Sequence, residues 1–145
     1  MIGLIQRVTE ASVSIGEQKI AHISRGLLAL VAVHRDDEQR DIARLAERIL
    51  TYRVFLDAED RMNLSIADIS GGLLLVPQFT LTADTKKGTR ASFTKGAPPD
   101  RASDYFDQLV KTCQNHLEQV KCGRFGADMQ VSLINDGPVT FWLQS

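Results

Sequence analysis

The sequence predicts an α+β fold, with a largely antiparallel or mixed, barrel-like β-sheet and two main helices. Apolar segments of strand length outnumber segments of helical periodicity, and they do not alternate regularly with helices as a parallel βαβ sheet requires. With 145 residues, of which 43% are hydrophobic, the chain is long enough to bury a substantial core. No repeat, low-complexity tract or linker divides it, so we expect a single domain over residues 1–145.

Strands are predicted first at the beginning of the chain, where apolar residues either alternate with polar ones or form short runs. These patterns predict strands over residues 2–8, 12–15, 18–23 and 27–33, the last of them buried on both faces. Further strands are predicted over residues 53–56, 73–76, 129–134 and 139–143. The last two are separated by turn-forming residues, Asn135 to Pro138.

Two segments have the spacing of amphipathic helices. Apolar residues at i, i+3, i+4, i+7 and i+8 from Ile42 predict a helix over residues 37–51, with an N-cap at Asp36 or Asp37. A second helix follows Pro98 and Pro99, with Asp100 as its cap. Its apolar stripe runs from Ala102 to Leu117, and His116 lies near the edge of that stripe.

Composition excludes several classes of protein. Lys and Arg number 17 against 18 Asp and Glu, a net charge of −1, whereas a general nucleic-acid coat protein is strongly basic. Neither a signal-peptide pattern nor an apolar run of about 20 residues is present, so we expect a cytoplasmic protein without a membrane partner. Cys113, Cys122 and three scattered histidines make neither a disulfide framework nor a metal site. We expect structural thiols and no metal or cofactor.

Residues 82–99 form a long segment without helical or strand periodicity, and such loops are usually functional or mobile. From Asp84 to Arg101 the chain carries five basic and two acidic side chains, a local balance of +3. One interpretation is a solvated surface loop. The other is an edge that contacts phosphate groups beside a site, because Lys and Arg on a loop can follow a negatively charged backbone.

No familiar catalytic motif is present, but two short segments are candidates for chemistry. Gln78, Phe79 and Thr80 stand where a buried strand ends, a common place for reactive groups. Thr80 is either a nucleophile, which needs an activating base, or a partner for backbone groups at the strand end. Residues 135–140 are either a hairpin connection or, if the Gly137–Pro138 bond is cis, a rigid clamp of neighbouring carbonyl groups.

These two segments resemble the signatures of the D-aminoacyl-tRNA deacylase family, which are Ser-Gln-Phe-Thr-Leu and Asn-X-Gly-Pro-Val-Thr. They stand here as residues 77–81, PQFTL, and residues 135–140, NDGPVT. The resemblance extends along the chain through IQRV, RMNLSI, DTKKGTR and GRFGADM, in the family's order and spacing.

The resemblance implies an editing enzyme that hydrolyses the ester between a D-amino acid and the terminal adenosine of tRNA. It also implies a homodimer with each site at the subunit interface, where the Gly137–Pro138 pair of one subunit enters the site of the other. Arg7 would hold that pair in orientation, main-chain N–H groups around Phe79 and Thr80 would face the substrate carbonyl, and Phe125 and Met129 would lie close by.

Further expectations follow for catalysis and selectivity. The family is thought to use the 2′-hydroxyl of the tRNA to assist hydrolysis, so Thr80 would be a positioning residue. A clamp that excludes L side chains leaves room for hydrogen, so glycyl-tRNA, including glycine mischarged on alanine tRNA, would also be cleaved.

One departure from the family pattern is Pro77, which stands where the signature has serine and lacks both a hydroxyl and an N–H donor. A related deacylase class that edits L-alanyl-tRNA has Pro-Gln at this position, with a trans Gly-Pro. Editing of L-alanyl-tRNA is one alternative to hydrolysis of D-aminoacyl-tRNA, and a non-catalytic tRNA-binding module is another. Arg7, Phe79 and Val139 favour the D-specific branch.

Overall fold

The computed structural model describes all residues from 1 to 145, and its long first strand organises the sheet. Strand β1 (Ile2–Ile15) pairs on one side with β2 (Gln18–Ile23) and β3 (Gly26–Ala32), and on the other side with β8 (Gln130–Gln144), all antiparallel. Strand β6 (Gly72–Pro77) then pairs parallel with β3, and β7 (Val120–Cys122) pairs parallel with β6. The sheet is therefore mixed.

Two α-helices complete the fold: α1 (Gln39–Thr51) and α2 (Pro99–Gln114). A 3-10 helix covers Phe79–Thr82, and a separate two-stranded ribbon consists of β4 (Phe55–Leu56) and β5 (Met62–Leu64). The predicted α+β class, with two helices and a mixed, nearly closed barrel-like sheet, is confirmed. No helix combines the length and apolar character that crossing a bilayer requires.

The core has two parts because β3 and β6 are buried on both faces. One cluster of 24 buried residues packs Leu27, Leu73 and their neighbours against both helices. A second cluster of 8 buried residues, which includes Leu28 and Leu74, is covered by β2 and the second half of β1. The uninterrupted apolar runs of these two central strands follow from this double burial.

Several predicted boundaries are wrong at the ends of the chain, where strands are longer than the patterns indicate. The predicted strands 2–8 and 12–15 are one strand, and so are 129–134 and 139–143. Turn-forming residues 135–138 do not make a hairpin, because β8 continues along β1 on both sides of them. Residues 136–139 form a bulge: Gln6 pairs with Thr140 and Val8 pairs with Asn135, which leaves only Arg7 opposite four residues of β8.

The helix starts also differ from prediction. Helix α1 begins at Gln39 with Glu38 as its N-cap, in a reciprocal capping box with Asp41. The predicted cap Asp37 is instead buried, and its carboxylate accepts hydrogen bonds from the Met1 ammonium and the His34 N–H, each at 2.6 Å. Helix α2 begins at Pro99 rather than after it, where proline's missing N–H costs no helical bond, and Asp100 lies in the first turn.

Other differences concern short segments. The predicted strand 53–56 is only Phe55–Leu56, and the short strands β5 and β7 were not predicted. His116 is exposed and lies beyond the end of α2 at Gln114. Such short or terminal elements are decided by neighbouring strands and caps, which local patterns do not report.

The two cysteines are free thiols, and we expect them to be unreactive in the folded protein. Cys113 is fully buried, and burial raises its pKa to about 12, while burial also raises the pKa of Cys122. Only the thiolate form of cysteine reacts. At pH 8 an ordinary exposed cysteine carries roughly a thousandfold more thiolate than a thiol of pKa about 12. Native Cys122→Ser protein should therefore react with iodoacetamide at least a hundredfold more slowly than the same protein unfolded in guanidinium. Equal rates would contradict the burial of Cys113.

Candidate functional site

A cavity of about 520 Å³ opens at the carboxyl end of β6. This volume is in the range of small-molecule sites. Its wall comes from three segments of the chain that are distant in sequence: the end of β6 with the turn after it, Ala97 with the start of α2, and residues 125–129 with Val131 at the start of β8. The lining side chains are mostly apolar, and they are Val76, Pro77, Gln78, Phe79, Ala97, Pro99, Ala102, Phe125, Ala127, Asp128, Met129 and Val131, together with Gly126.

A second apolar cavity of about 220 Å³ adjoins the first. Phe79, Phe125 and Pro77 line both cavities, so these side chains form the wall between them. The predicted site residues Pro77, Gln78, Phe79, Phe125 and Met129 thus lie together around one cavity.

The turn after β6 is held by backbone bonds that leave two donors free. The Gln78 N–H donates to the Val31 carbonyl at 2.7 Å, which ends the pairing of β6 with β3. In the 3-10 helix that follows, the first internal bond runs from the Leu81 N–H to the Gln78 carbonyl at 3.2 Å. The N–H groups of Phe79 and Thr80 therefore have no acceptor within the helix. Both residues are exposed, and Phe79 is 59% accessible.

Thr80 has no base beside its hydroxyl in this turn. Its Oγ1 accepts a hydrogen bond of 2.6 Å from the amide Nε2 of Gln78, and an amide is not a general base. A second hydroxyl, that of Thr82, donates to the Phe79 carbonyl at 2.8 Å and closes the turn. The side chains of this segment therefore support the backbone conformation.

The loop after β7 is brought to the cavity by the parallel pairing of β7 with β6. The Gly123 N–H donates to the Leu75 carbonyl at 2.8 Å, and the Arg124 N–H donates to the Met129 sulfur at 3.3 Å. A Cβ at Gly123 would lie 2.8 Å from that sulfur, so a larger residue there would displace the Met129 side chain. Asp128, also on this loop, is the one ionisable side chain that lines the larger cavity. Sequence reasoning missed it, because a single aspartate in a loop forms no pattern.

Gly137 and Pro138 lie elsewhere, in the bulge of β8, and both are exposed. Their peptide bond is cis. Arg7 holds this bulge: its Nε donates to the Asp136 carbonyl at 3.0 Å, and its Nη1 donates to the Val54 carbonyl at 2.6 Å. The Arg7 Nε also lies 3.3 Å from the Asp136 carboxylate, and the arginine is almost wholly buried.

The structure therefore does not bring all the predicted site residues together in one chain. Val31 of β3 pairs with Gly3 of β1 and with Pro77 of β6, so these three residues lie at the same level of the sheet. Arg7 lies four residues further along β1, roughly 13 Å from that level in the strand direction. Gly137 and Pro138 lie in the bulge beside Arg7, whereas the part of β8 that lines the cavity is its start, at Val131. Neither Gly137, Pro138, Arg7 nor Thr80 lines the cavity.

Comparison with known sequences shows the family to which the chain is similar. The family model for D-Tyr-tRNA(Tyr) deacylase matches residues 4–144. Curated D-aminoacyl-tRNA deacylases of Escherichia coli O1:K1 / APEC and Shigella boydii serotype 18 are each 54% identical over 144 residues, which is 99% of this chain and 99% of theirs.

Two solved structures have the same fold over nearly the whole chain. One is described as c-Myc DNA Unwinding Element Binding Protein, with a TM-score of 0.96, 35% identity, and coverage of 100% of this chain and 99% of that one. The other is a probable eukaryotic D-amino acid tRNA deacylase, with a TM-score of 0.85, coverage of 99% and 98%, and 13% identity, a likeness of fold alone.

The fold and these matches define the chain as a hydrolase of the deacylase class. It belongs to the D-Tyr-tRNA(Tyr) deacylase family.

Proposed function

We propose that this protein hydrolyses the ester that joins a D-amino acid to the terminal adenosine of tRNA, and releases free tRNA and the D-amino acid. The observation that carries the proposal is the turn after β6. Phe79 lines the cavity and Thr80 follows it, the N–H groups of both residues are unpaired, and no nucleophile with an adjacent base lies in the turn. The names of the 54% identical relatives point to the same substrate.

The proposed chemistry requires little from protein side chains. An aminoacyl ester is already activated, and the 2′-hydroxyl of the terminal ribose lies next to it and can orient water. Water attacks the ester carbonyl carbon, the carbon–oxygen bond to the ribose breaks, and the ribose oxygen leaves with a proton. The N–H groups of Phe79 and Thr80 stabilise the developing oxyanion, and such donors contribute about 3–4 kcal/mol each. Thr80 and Gln78 position this turn.

Chiral selection is assigned to Gly137 and Pro138 of a second copy of the chain. A carbonyl oxygen beside the α-carbon of the substrate collides with an L side chain and leaves room for hydrogen. The bulge lies beside Arg7, about 13 Å along the sheet from the level of Pro77, and this offset supports a homodimer in which each bulge enters the cavity of another copy. Arg7 is assigned to holding the bulge, while Phe125, Met129 and Pro77 enclose the terminal adenosine and ester.

Several finer parts of the proposal follow from this arrangement. Glycine has no side chain to exclude, so glycyl-tRNA, including glycine on alanine tRNA, is a second expected substrate. The proposed contacts are to the ester carbonyl and the α-carbon, which all amino acids share, so several D-amino acids should be accepted. A cytoplasmic location fits a tRNA substrate.

The first experiment compares hydrolysis of matched D- and L-tyrosyl-tRNA at equal enzyme concentration. We expect rapid loss of the D ester and of glycyl-tRNA, and survival of the L ester. Cleavage of L-alanyl-tRNA with the D ester intact would instead indicate the related L-alanine editor that Pro77 suggests. Binding of tRNA with every ester left intact would indicate a non-catalytic module, and would overturn the proposal.

A further inference from the structure

The long basic loop between the 3-10 helix and α2 is folded into a defined structure. Asp84 and Ser92 form an antiparallel bridge, with the Asp84 N–H donating to the Ser92 carbonyl at 2.8 Å and the Ser92 N–H donating to the Asp84 carbonyl at 3.0 Å. Residues 85–91 therefore project as a closed tip, which we name the cationic finger. Gly88, with a φ of +68°, lies in its turn.

The base of the finger is fastened by the Asp84 carboxylate. This group accepts a hydrogen bond of 3.1 Å from the Lys86 N–H and lies 3.1 Å from the Lys95 ammonium. These contacts lower the pKa of Asp84, the Lys86 N–H being the largest cause. Through these two contacts the carboxylate joins the two strands at the base of the finger.

The base also touches the candidate catalytic turn. The ring of Phe93, the residue after the bridge, lies 5.1 Å from the ring of Phe79, centroid to centroid. On the opposite strand of the finger, Asp84 follows the end of the 3-10 helix at Thr82 by two residues. The finger is thus attached to the turn on both sides, and its position relative to the cavity is set.

Only part of the positive charge in this region is free. Lys95 is paired with Asp84, and the Arg101 guanidinium donates to the carbonyl groups of Arg35 and Asp37, where it joins α2 to the loop before α1. Lys86, Lys87 and Arg90, all within the finger, are exposed and make no salt bridge. The finger contains no acidic residue, so it presents three positive charges beside the site in a protein of net charge −1.

We propose that the cationic finger binds the sugar-phosphate backbone of the RNA that carries the ester, through Lys86, Lys87 and Arg90. This inference rests on the proposed function, which places the terminal adenosine at the cavity. The nucleotides that precede it must leave the cavity over a neighbouring surface. Exposed Lys and Arg side chains held at one edge fit a chain of phosphate groups, and they carry affinity without base specificity.

The test compares two triple variants of equal charge change and composition. The finger variant is Lys86→Ala, Lys87→Ala and Arg90→Ala, and the control variant is Lys19→Ala, Arg40→Ala and Lys111→Ala, which removes exposed charges elsewhere. Binding of uncharged tRNA is measured by fluorescence anisotropy over a range of salt concentrations. For the finger variant we expect binding roughly 10-fold weaker or more, and a salt slope smaller by about 2–3, since each phosphate contact adds about 0.7–0.9 to that slope. The control variant should keep both the wild-type affinity and the wild-type slope.

A second measurement separates RNA binding from damage to the site. The substrate 3′-O-D-tyrosyl-adenosine carries the ester without any phosphate, and the finger variant should hydrolyse it at the wild-type rate while losing kcat/KM on D-tyrosyl-tRNA. An unchanged affinity and slope for tRNA, or an equal loss on the phosphate-free ester, would overturn the finger proposal. Failure of the wild-type enzyme to cleave any ester would instead count against the proposed function, because the binding measurement needs no hydrolysis.

Discussion

Replacing Gly137 with alanine is expected to lower kcat/KM for D-tyrosyl-tRNA about 100-fold or more, since a displacement of about 1 Å at a reacting centre has that order of effect. Gly137 has a φ of +137°, a conformation that residues with side chains rarely adopt. An added Cβ would lie 2.6 Å from the Val139 Cγ2 and 3.0 Å from the Val139 N, so the bulge must shift. The measurement is the hydrolysis rate of D- and L-tyrosyl-tRNA by the variant, with discrimination between the two esters expected to decrease.

A matched control for this variant is Gly16→Ala. Gly16 also has a positive φ, +56°, but a Cβ there meets nothing within 4 Å, and the residue lies in the turn between β1 and β2. It should lose some stability and keep its activity per folded molecule. Wild-type rates and full rejection of the L ester by Gly137→Ala would show that the bulge plays no part in selection.

Replacing Phe79 with proline is expected to lower kcat on D-tyrosyl-tRNA about 10²–10³-fold relative to Phe79→Ala, the usual loss when one oxyanion donor is removed. Both variants lack the ring, and only proline also lacks the N–H. Phe79 is the first residue of the 3-10 helix, so its N–H makes no bond within that helix and proline there removes no helical hydrogen bond. The comparison therefore isolates a single backbone donor.

Two results would decide this prediction. Far-ultraviolet circular dichroism and the unfolding temperature of the two Phe79 variants should be similar, which confirms that the turn still forms. Equal kcat for the two variants under those conditions would show that the Phe79 N–H does not face the reacting carbonyl. In that case the stabilising donor must be sought elsewhere on the cavity wall.

Local pattern predicts most of the fold here, and its errors have identifiable causes. The alternation along β1 breaks at Thr9 and Glu10, which are both exposed, because β1 has an extra residue opposite β8 at that point. Such an interruption divides one strand into two apparent ones. Residues 135–138 have turn chemistry because the four-residue bulge at 136–139 needs it too, and only the pairing with β1 distinguishes a bulge from a hairpin.

The free charge of the basic loop is another property that the sequence pattern alone does not give. Counting residues gives +3 between Asp84 and Arg101, but counting does not tell which charges are free. The structure pairs Lys95 with Asp84 and uses Arg101 to join α2 to the loop before α1, so the free charge lies within the finger. These pairings depend on the path of the loop, which no periodicity in the sequence reports.

By itself, the sequence determined the fold class, the family and the identity of the residues at the strand end and in the bulge, because these depend on local pattern and on two short signatures. Only the tertiary structure decided which of those residues meet. Parallel pairing of β7 with β6 brings residues 125–129 to the turn at Phe79, and antiparallel pairing of β8 with β1 places Gly137 and Pro138 beside Arg7, outside the cavity lining. Strand order and register depend on contacts between segments far apart in the chain, and these contacts form only when the whole core packs.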